Sequence, residues 1–112
     1  MTMEPLIVRL EGEWGISRRE ELRATVARNI DVPLLIWDLR AVTHIDSTTL
    51  RELARSRAIR RSRSLPPAAF VVTSPTVRRI FVLTQLDKIW PIYHSLEEAV
   101  GSFGGDDAPP GS

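Results

Sequence analysis

His44, Asp46 and Ser47 bring an imidazole, a carboxylate and a hydroxyl within a few residues of one another. That set invites comparison with a nucleophilic triad. Triads, however, are built by side chains converging from separate segments and not by neighbours along the chain. The sequence also has no nucleophile-elbow motif and no glycine-rich oxyanion loop. A simpler chemistry fits Asp46-Ser47. Both residue types are favoured helix N-caps, and Leu50, Leu53, Ala54, Arg57 and Ala58 follow at helical spacing. Ser47 is therefore expected in the first turn of a helix, exposed and beside backbone N–H groups that lack intrahelical partners. A phosphate there would add a charge of about −1.5 to −2 and would be favoured by the positive end of the helix dipole. On local chemistry alone, ordinary capping remains the favoured reading.

Other chemistries find less support. There is no cysteine, which excludes disulfides and a thiolate zinc site, and His44 and His94 share no ligand-like spacing. No metal and no cofactor is expected, and no glycine-rich loop is present to cradle a nucleotide phosphate. Arg51, Arg55, Arg57, Arg60, Arg61 and Arg63 form a basic stretch, but the formal net charge is only +1. The stretch reads as the solvated face and C-terminal end of a helix, where cations suit the dipole, and not as a nucleic-acid footprint. Trp37 and Trp90 read as core residues. Trp14, beside Gly15, is expected as an exposed interface anchor.

These residues need a frame to position them. The chain has 112 residues, 43% hydrophobic and 26% charged, as expected of one soluble domain. No stretch approaches the ~20 apolar residues of a membrane span, and no secretory leader is evident, so a cytoplasmic location is expected. Leu6 to Gly12 reads as a first strand, and Glu13 to Ile16 as a very short second one. Ser17 and Glu20 form a capping-box pattern ahead of a helix from about Arg18 to Asn29. Leu34 to Leu39 reads as a central strand, followed by a connection from Arg40 to Ile45 with a little extended structure. The helix begun at Asp46-Ser47 runs to about Arg63, Ala68 to Val72 is a strand, and Ser74-Pro75 opens a helix whose apolar residues are Val77, Ile80, Phe81 and Leu83. A short strand near Ile92-Tyr93 and a capped helix from Ser95 to Val100 complete the order. The expected fold is a single α/β domain over residues 1–101, with a mostly parallel or mixed sheet of four to five strands and about four helices. Residues 102–112 read as a disordered tail.

The segment LLIWDLRAVTHIDSTTL, Leu34 to Leu50, resembles the core signature of STAS domains: a hydrophobic strand ending in Asp-Leu, a short connection, then Asp-Ser-x-x-Leu at a helix start. SPTVRRIFVLTQLDKIWPIYHSLEEAV, Ser74 to Val100, is similar to the C-terminal half of the same family, and Gly12-Glu13 falls at its first turn. The resemblance, to the anti-sigma factor antagonist type, covers about Leu6 to Val100. It implies a non-enzymatic protein-binding switch. Ser47 matches the serine that an anti-sigma factor serine kinase phosphorylates; the unmodified form binds that kinase, the phosphorylated form releases it, and a phosphatase restores it. Asp46 matches the acidic residue before the acceptor and shapes the site with Thr48 and Thr49. Thr49 departs from the glycine usual there, which leaves Thr48 and Thr49 as alternative acceptors. Leu50, Arg51, Arg55 and Trp14 are the expected partner-binding residues, with no nucleic acid and no membrane insertion. Two other readings stay open: a STAS scaffold that is never phosphorylated, or a subunit of a lipid-transport or stress-signalling assembly; and a small ligand-binding domain.

Overall fold

The first two strands carry the longest pairing in the molecule. In the computed structural model, which describes residues 4–103, β1 spans Leu6–Trp14 and β2 spans Leu35–Ile45, and they run parallel from Leu6↔Leu35 to Trp14↔Ile45. Both are longer than the sequence pattern predicts. Glu13-Trp14 is the end of β1 and not a separate strand, and the expected connection Arg40 to Ile45 is strand throughout. The register shifts between Arg9 and Glu11 and again between Gly12 and Glu13, each time by one extra residue in β2. These bulges change which side chains face inward. Leu35, Trp37 and Leu39 alternate as a regular strand should, and then Val42 and Ile45 return to the core at intervals of three. A period of three hides a strand from pattern reading, because alternation is the signal. Gly12 follows the first bulge at φ +84°, a conformation that glycine adopts without strain.

Two shorter strands complete a parallel sheet in the order β1-β2-β3-β4, with β3 at Ala69–Val71 and β4 at Ile92–Tyr93. Three helices link them: α1 (Arg19–Asn29), α2 (Ser47–Ser62) and α3 (Pro75–Leu83). Right-handed crossovers that always step the same way put successive helices on one face. Leu22 and Val26 of α1, Leu50 and Leu53 of α2, and Val77 and Phe81 of α3 accordingly share one core with Leu35, Trp37, Leu39 and Phe70. Phe70, Phe81 and Trp90 stack within it, with the Phe70 and Trp90 centroids 4.7 Å apart. The opposite face is covered by α4 (Leu96–Ser102), whose Ala99 packs on Ile36, Ala69 and Val71. That second face explains why Leu35 to Leu39 is buried on both sides.

Helix ends follow the sequence at three places. Asp46, Ser74 and Ser95 each accept a hydrogen bond from the backbone N–H three residues on. The first helix differs. Ser17 lies inside a 3-10 turn (Ile16–Arg18), whose Arg18 N–H bonds the Gly15 carbonyl, and α1 starts at Arg19 without a side-chain cap. The turn takes up the residues that the capping box needed. In α3, Val77 and Phe81 are buried, whereas Leu83, also apolar, is 70% exposed. At the C-terminus α4 carries on through Gly101 to Ser102, and Phe103 packs against the second core. The rest of the expected tail, residues 104–112, lies outside the described residues.

Arg60 departs furthest from expectation. It belongs to the stretch expected to be solvated, yet it is 2% exposed. Its guanidinium donates to four carbonyls: Nη1 to Ile30 (3.2 Å) and Val32 (2.6 Å), Nη2 to Pro33 (3.2 Å) and Pro66 (2.9 Å). The first three lie in the turn leading into β2 and the last in the turn leading into β3. One side chain thereby satisfies carbonyls of both turns. A planar fork can do this, and a lysine ammonium cannot reach the same four positions. Arg60→Lys should lower unfolding stability by about 2–4 kcal/mol in urea titrations, while Arg61→Lys, at an exposed neighbour, should change it by less than about 0.5 kcal/mol.

Candidate functional site

Ser47 lies at the corner where β2 gives way to α2. The chain reaches it extended, with Asp46 at φ −109° and ψ 180°. Three bonds fix Asp46: its N–H donates to the Trp14 carbonyl (3.1 Å), its carbonyl accepts from Leu50 N (3.1 Å), and its Oδ1 accepts from Thr49 N (3.1 Å). The last is the N-cap. Ser47 is the first helical residue, and it is exposed. The carboxylate of Asp46 fits against Gly15, where a Cβ would come within 2.7 Å of Oδ2. Gly15 is thus a site residue that the sequence reading passed over. Its spacing from Trp14 gave no signal, because the close approach depends on the β1–β2 register.

The residues expected around Ser47 divide into a surface and a support. Trp14 is 2% exposed, so it is not a surface anchor. The extension of β1 turns its ring into the core opposite Ile45, with Nε1 donating to the Glu11 carbonyl (3.0 Å) and the Arg18 guanidinium 3.6 Å above the ring. Leu50 is also buried, as part of the main core. Thr49 is 2% exposed, which speaks against it as an alternative acceptor. Thr48 is half-buried, whereas Arg51 and Arg55 are exposed. His44 is exposed on β2 and makes no hydrogen bond to Ser47 among the described residues.

Beside Ser47 a groove of about 290 Å³ runs between α1 and α2, lined by Ile16, Arg19, Arg23, Thr48, Arg51, Glu52 and Arg55. Four arginines face one glutamate there, and Ile16, at its edge, is 72% exposed. Glu52 is buried and accepts from Arg23 Nε (3.1 Å) on α1 and from Arg55 Nε (3.0 Å) on its own helix. Burial pushes its carboxyl up, but Arg55 and Arg23 outweigh burial and hold it below the usual glutamate range. Arg19 and Arg23 come from a different helix, 28 or more positions away from Arg51, so the groove could not be read from the arginine run alone.

Two outcomes follow for the corner. Asp46→Ala should cost about 1 kcal/mol, as loss of an N-cap does. Gly15→Ala should cost a similar amount in the wild type and almost nothing in the Asp46→Ala background, because the clash is with that carboxylate; a double-mutant cycle by chemical denaturation measures the coupling. For Glu52, the unfolded chain takes up the carboxyl proton at higher pH than the folded chain, so stability falls as pH falls through that interval. The wild type should therefore lose more stability than Glu52→Gln between about pH 5.5 and about pH 3.

The arrangement has counterparts among known proteins. The family model for the STAS domain matches residues 2–99. An anti-sigma factor antagonist from Mycobacterium paratuberculosis superposes with a TM-score of 0.78 at 26% identity, covering 93% of this chain and 89% of the other. The anti-sigma factor antagonist SpoIIAA in its unphosphorylated form superposes at 0.76 with 25% identity over 93% and 91% of the two chains. A sulfate transporter family protein from Wolinella succinogenes shares the fold at 12% identity, with a TM-score of 0.71 over 89% and 84%. No curated protein matches. With nearly all of its described residues inside the family match, the chain belongs to the STAS domain family.

Proposed function

We propose that this protein is an anti-sigma factor antagonist: a non-enzymatic, cytoplasmic binding module whose affinity for an anti-sigma factor serine kinase is switched by phosphorylation of Ser47. The observation that carries this reading is the position of Ser47. It is exposed at the first turn of α2, on a corner whose backbone is fixed by Asp46, Gly15 and the Trp14 carbonyl. Support comes from the likeness to two anti-sigma factor antagonists. The chemistry belongs to the partner: the kinase transfers the γ-phosphoryl of its ATP to Ser47 Oγ, and a phosphatase hydrolyses the ester.

The switch works at the surface. The helix start accommodates a dianion through its free N–H groups and dipole, so the fold need not change. What changes is the field seen by the partner. Arg19, Arg23, Arg51 and Arg55 make the neighbouring groove cationic, suited to an acidic segment of the partner and able to speed its approach. A phosphate on Ser47 adds negative charge at the rim, beside Asp46, and repels that segment. Buried Thr49 leaves this face unobstructed, so the departure from glycine does not weigh against docking. A second reading, a STAS subunit of a membrane-associated assembly that is never phosphorylated, draws on the shared fold of the sulfate transporter family protein.

Incubation with the cognate anti-sigma kinase and ATP, followed by mass spectrometry, should place one phosphate on Ser47 and none on Ser47→Ala. Ser47→Asp should weaken binding to that kinase by at least about tenfold, while Ser47→Ala stays near wild type. Absence of phosphate on Ser47, with co-purification of membrane transporter subunits from the native cell, would establish the second reading. Replacing Arg51 and Arg55 together by glutamate should slow association about tenfold at low salt, with the difference shrinking towards 1 M salt.

A further inference from the structure

Helix α2 rises about 1.5 Å per residue, so Arg60 lies roughly 20 Å from Ser47, at the far end of the helix. A cavity of about 210 Å³ opens there between α2 and the sheet. Trp37, Phe70 and Trp90 form its apolar wall, and Arg57, Arg60 and Arg61 its polar one. The electrostatics of this wall are incomplete. All four hydrogen bonds of the buried Arg60 guanidinium go to neutral carbonyls. Among the described residues, no carboxylate lies within ion-pair distance of Arg57, Arg60 or Arg61. Asp31, the acidic residue that acts on Arg60, is itself exposed and paired with Arg63. The Nε–H groups of Arg57 and Arg60 are both buried and have no acceptor among the described residues.

A buried cation hydrogen-bonded only to carbonyls and without a carboxylate at ion-pair distance, next to an aromatic cavity, is half of a binding site for an organic anion. The missing half is a negative head on an apolar body. The volume, below the ~300 Å³ at which drug-sized pockets begin, suits a small ligand. We propose that this cavity binds a small aromatic or short-chain monocarboxylate. Its carboxylate pairs with Arg57 and Arg61 within the field of the fixed Arg60, and its apolar body lies against Trp37, Phe70 and Trp90. Arg57 is half-buried and Arg61 exposed; Arg60 is bonded to the carbonyls of both turns. The site is separate from the Ser47 corner and does not depend on the function proposed for it.

Phenylacetate serves as the probe, titrated into the full chain while tryptophan fluorescence and backbone amide shifts are followed. Ten heavy atoms support a Kd in about the millimolar range. Saturable binding is expected, with amide shifts confined to the second half of α2, the start of β3 and the neighbourhoods of Trp37 and Trp90. Phenylacetamide, of the same shape without charge, should bind at least about tenfold more weakly, as should phenylacetate to the Arg57→Gln, Arg61→Gln double variant, whose changes fall on the half-buried and exposed arginines and spare Arg60. Ser47→Asp should leave the Kd unchanged. The proposal is overturned if phenylacetate fails to saturate by about 20 mM, if the amide binds equally well, if the double variant keeps wild-type affinity, or if the shifts map to another surface.

Discussion

Arg60 ties together the two turns on which the sheet depends. The chain must leave α1 and start β2, and later leave α2 and start β3, and carbonyls of both turns accept from this one side chain. The guanidinium of Arg60 supplies donors to Ile30, Val32, Pro33 and Pro66 from a single rigid plane. Two of these residues, Pro33 and Pro66, are prolines, which contribute no N–H of their own. The arrangement fixes where Leu35 and Ala69 begin their strands, and with them the alignment Ile36↔Ala69 in the middle of the sheet. A buried charge is costly when unpaired. Here the cost is met by oriented carbonyl dipoles, which also lock the end of α2 onto the sheet.

From that end, α2 acts as a rigid rod. Its other end is held by Asp46, whose backbone is bonded to Trp14 and whose side chain caps the helix against Gly15. The corner is therefore specified by the last residues of β1 as much as by α2 itself. The two bulges in β2 make this meeting possible, because they let Val42 and Ile45 stay in the core while Trp14 comes level with Ile45. Ser47 is left exposed on a backbone that has little freedom. A modification at such a position changes charge and shape without being absorbed by local rearrangement.

The arginines of α2 show how one sequence feature separates into different physical roles. Arg51 and Arg55 face the groove shared with Arg19 and Arg23, where Glu52 holds two of the cations in place. Arg60, two turns or so further along, faces the sheet and is buried. Arg57 and Arg61 stand between solvent and the aromatic cavity. The helix thus presents positive charge outward near Ser47, where long-range attraction can guide a partner, and inward at its far end, where the same charge organises backbone.

The sequence by itself determined the alternation of strands and helices, the caps at Asp46, Ser74 and Ser95, and the placing of Ser47 in the first turn of a helix. These depend on local rules: hydrophobic period, capping chemistry and the punctuation of proline and glycine. It also carried the family, through two long segments in the right order. The extent of β1 and β2, the burial of Trp14, Thr49 and Arg60, the contact of Gly15 with Asp46, and the groove between α1 and α2 were decided only by tertiary structure. Each of them depends on which residue of one segment lies opposite a residue of another. An arginine in a basic run looks solvated until two turns close around it, and a tryptophan beside a glycine looks like a loop residue until a bulged strand carries its ring inward.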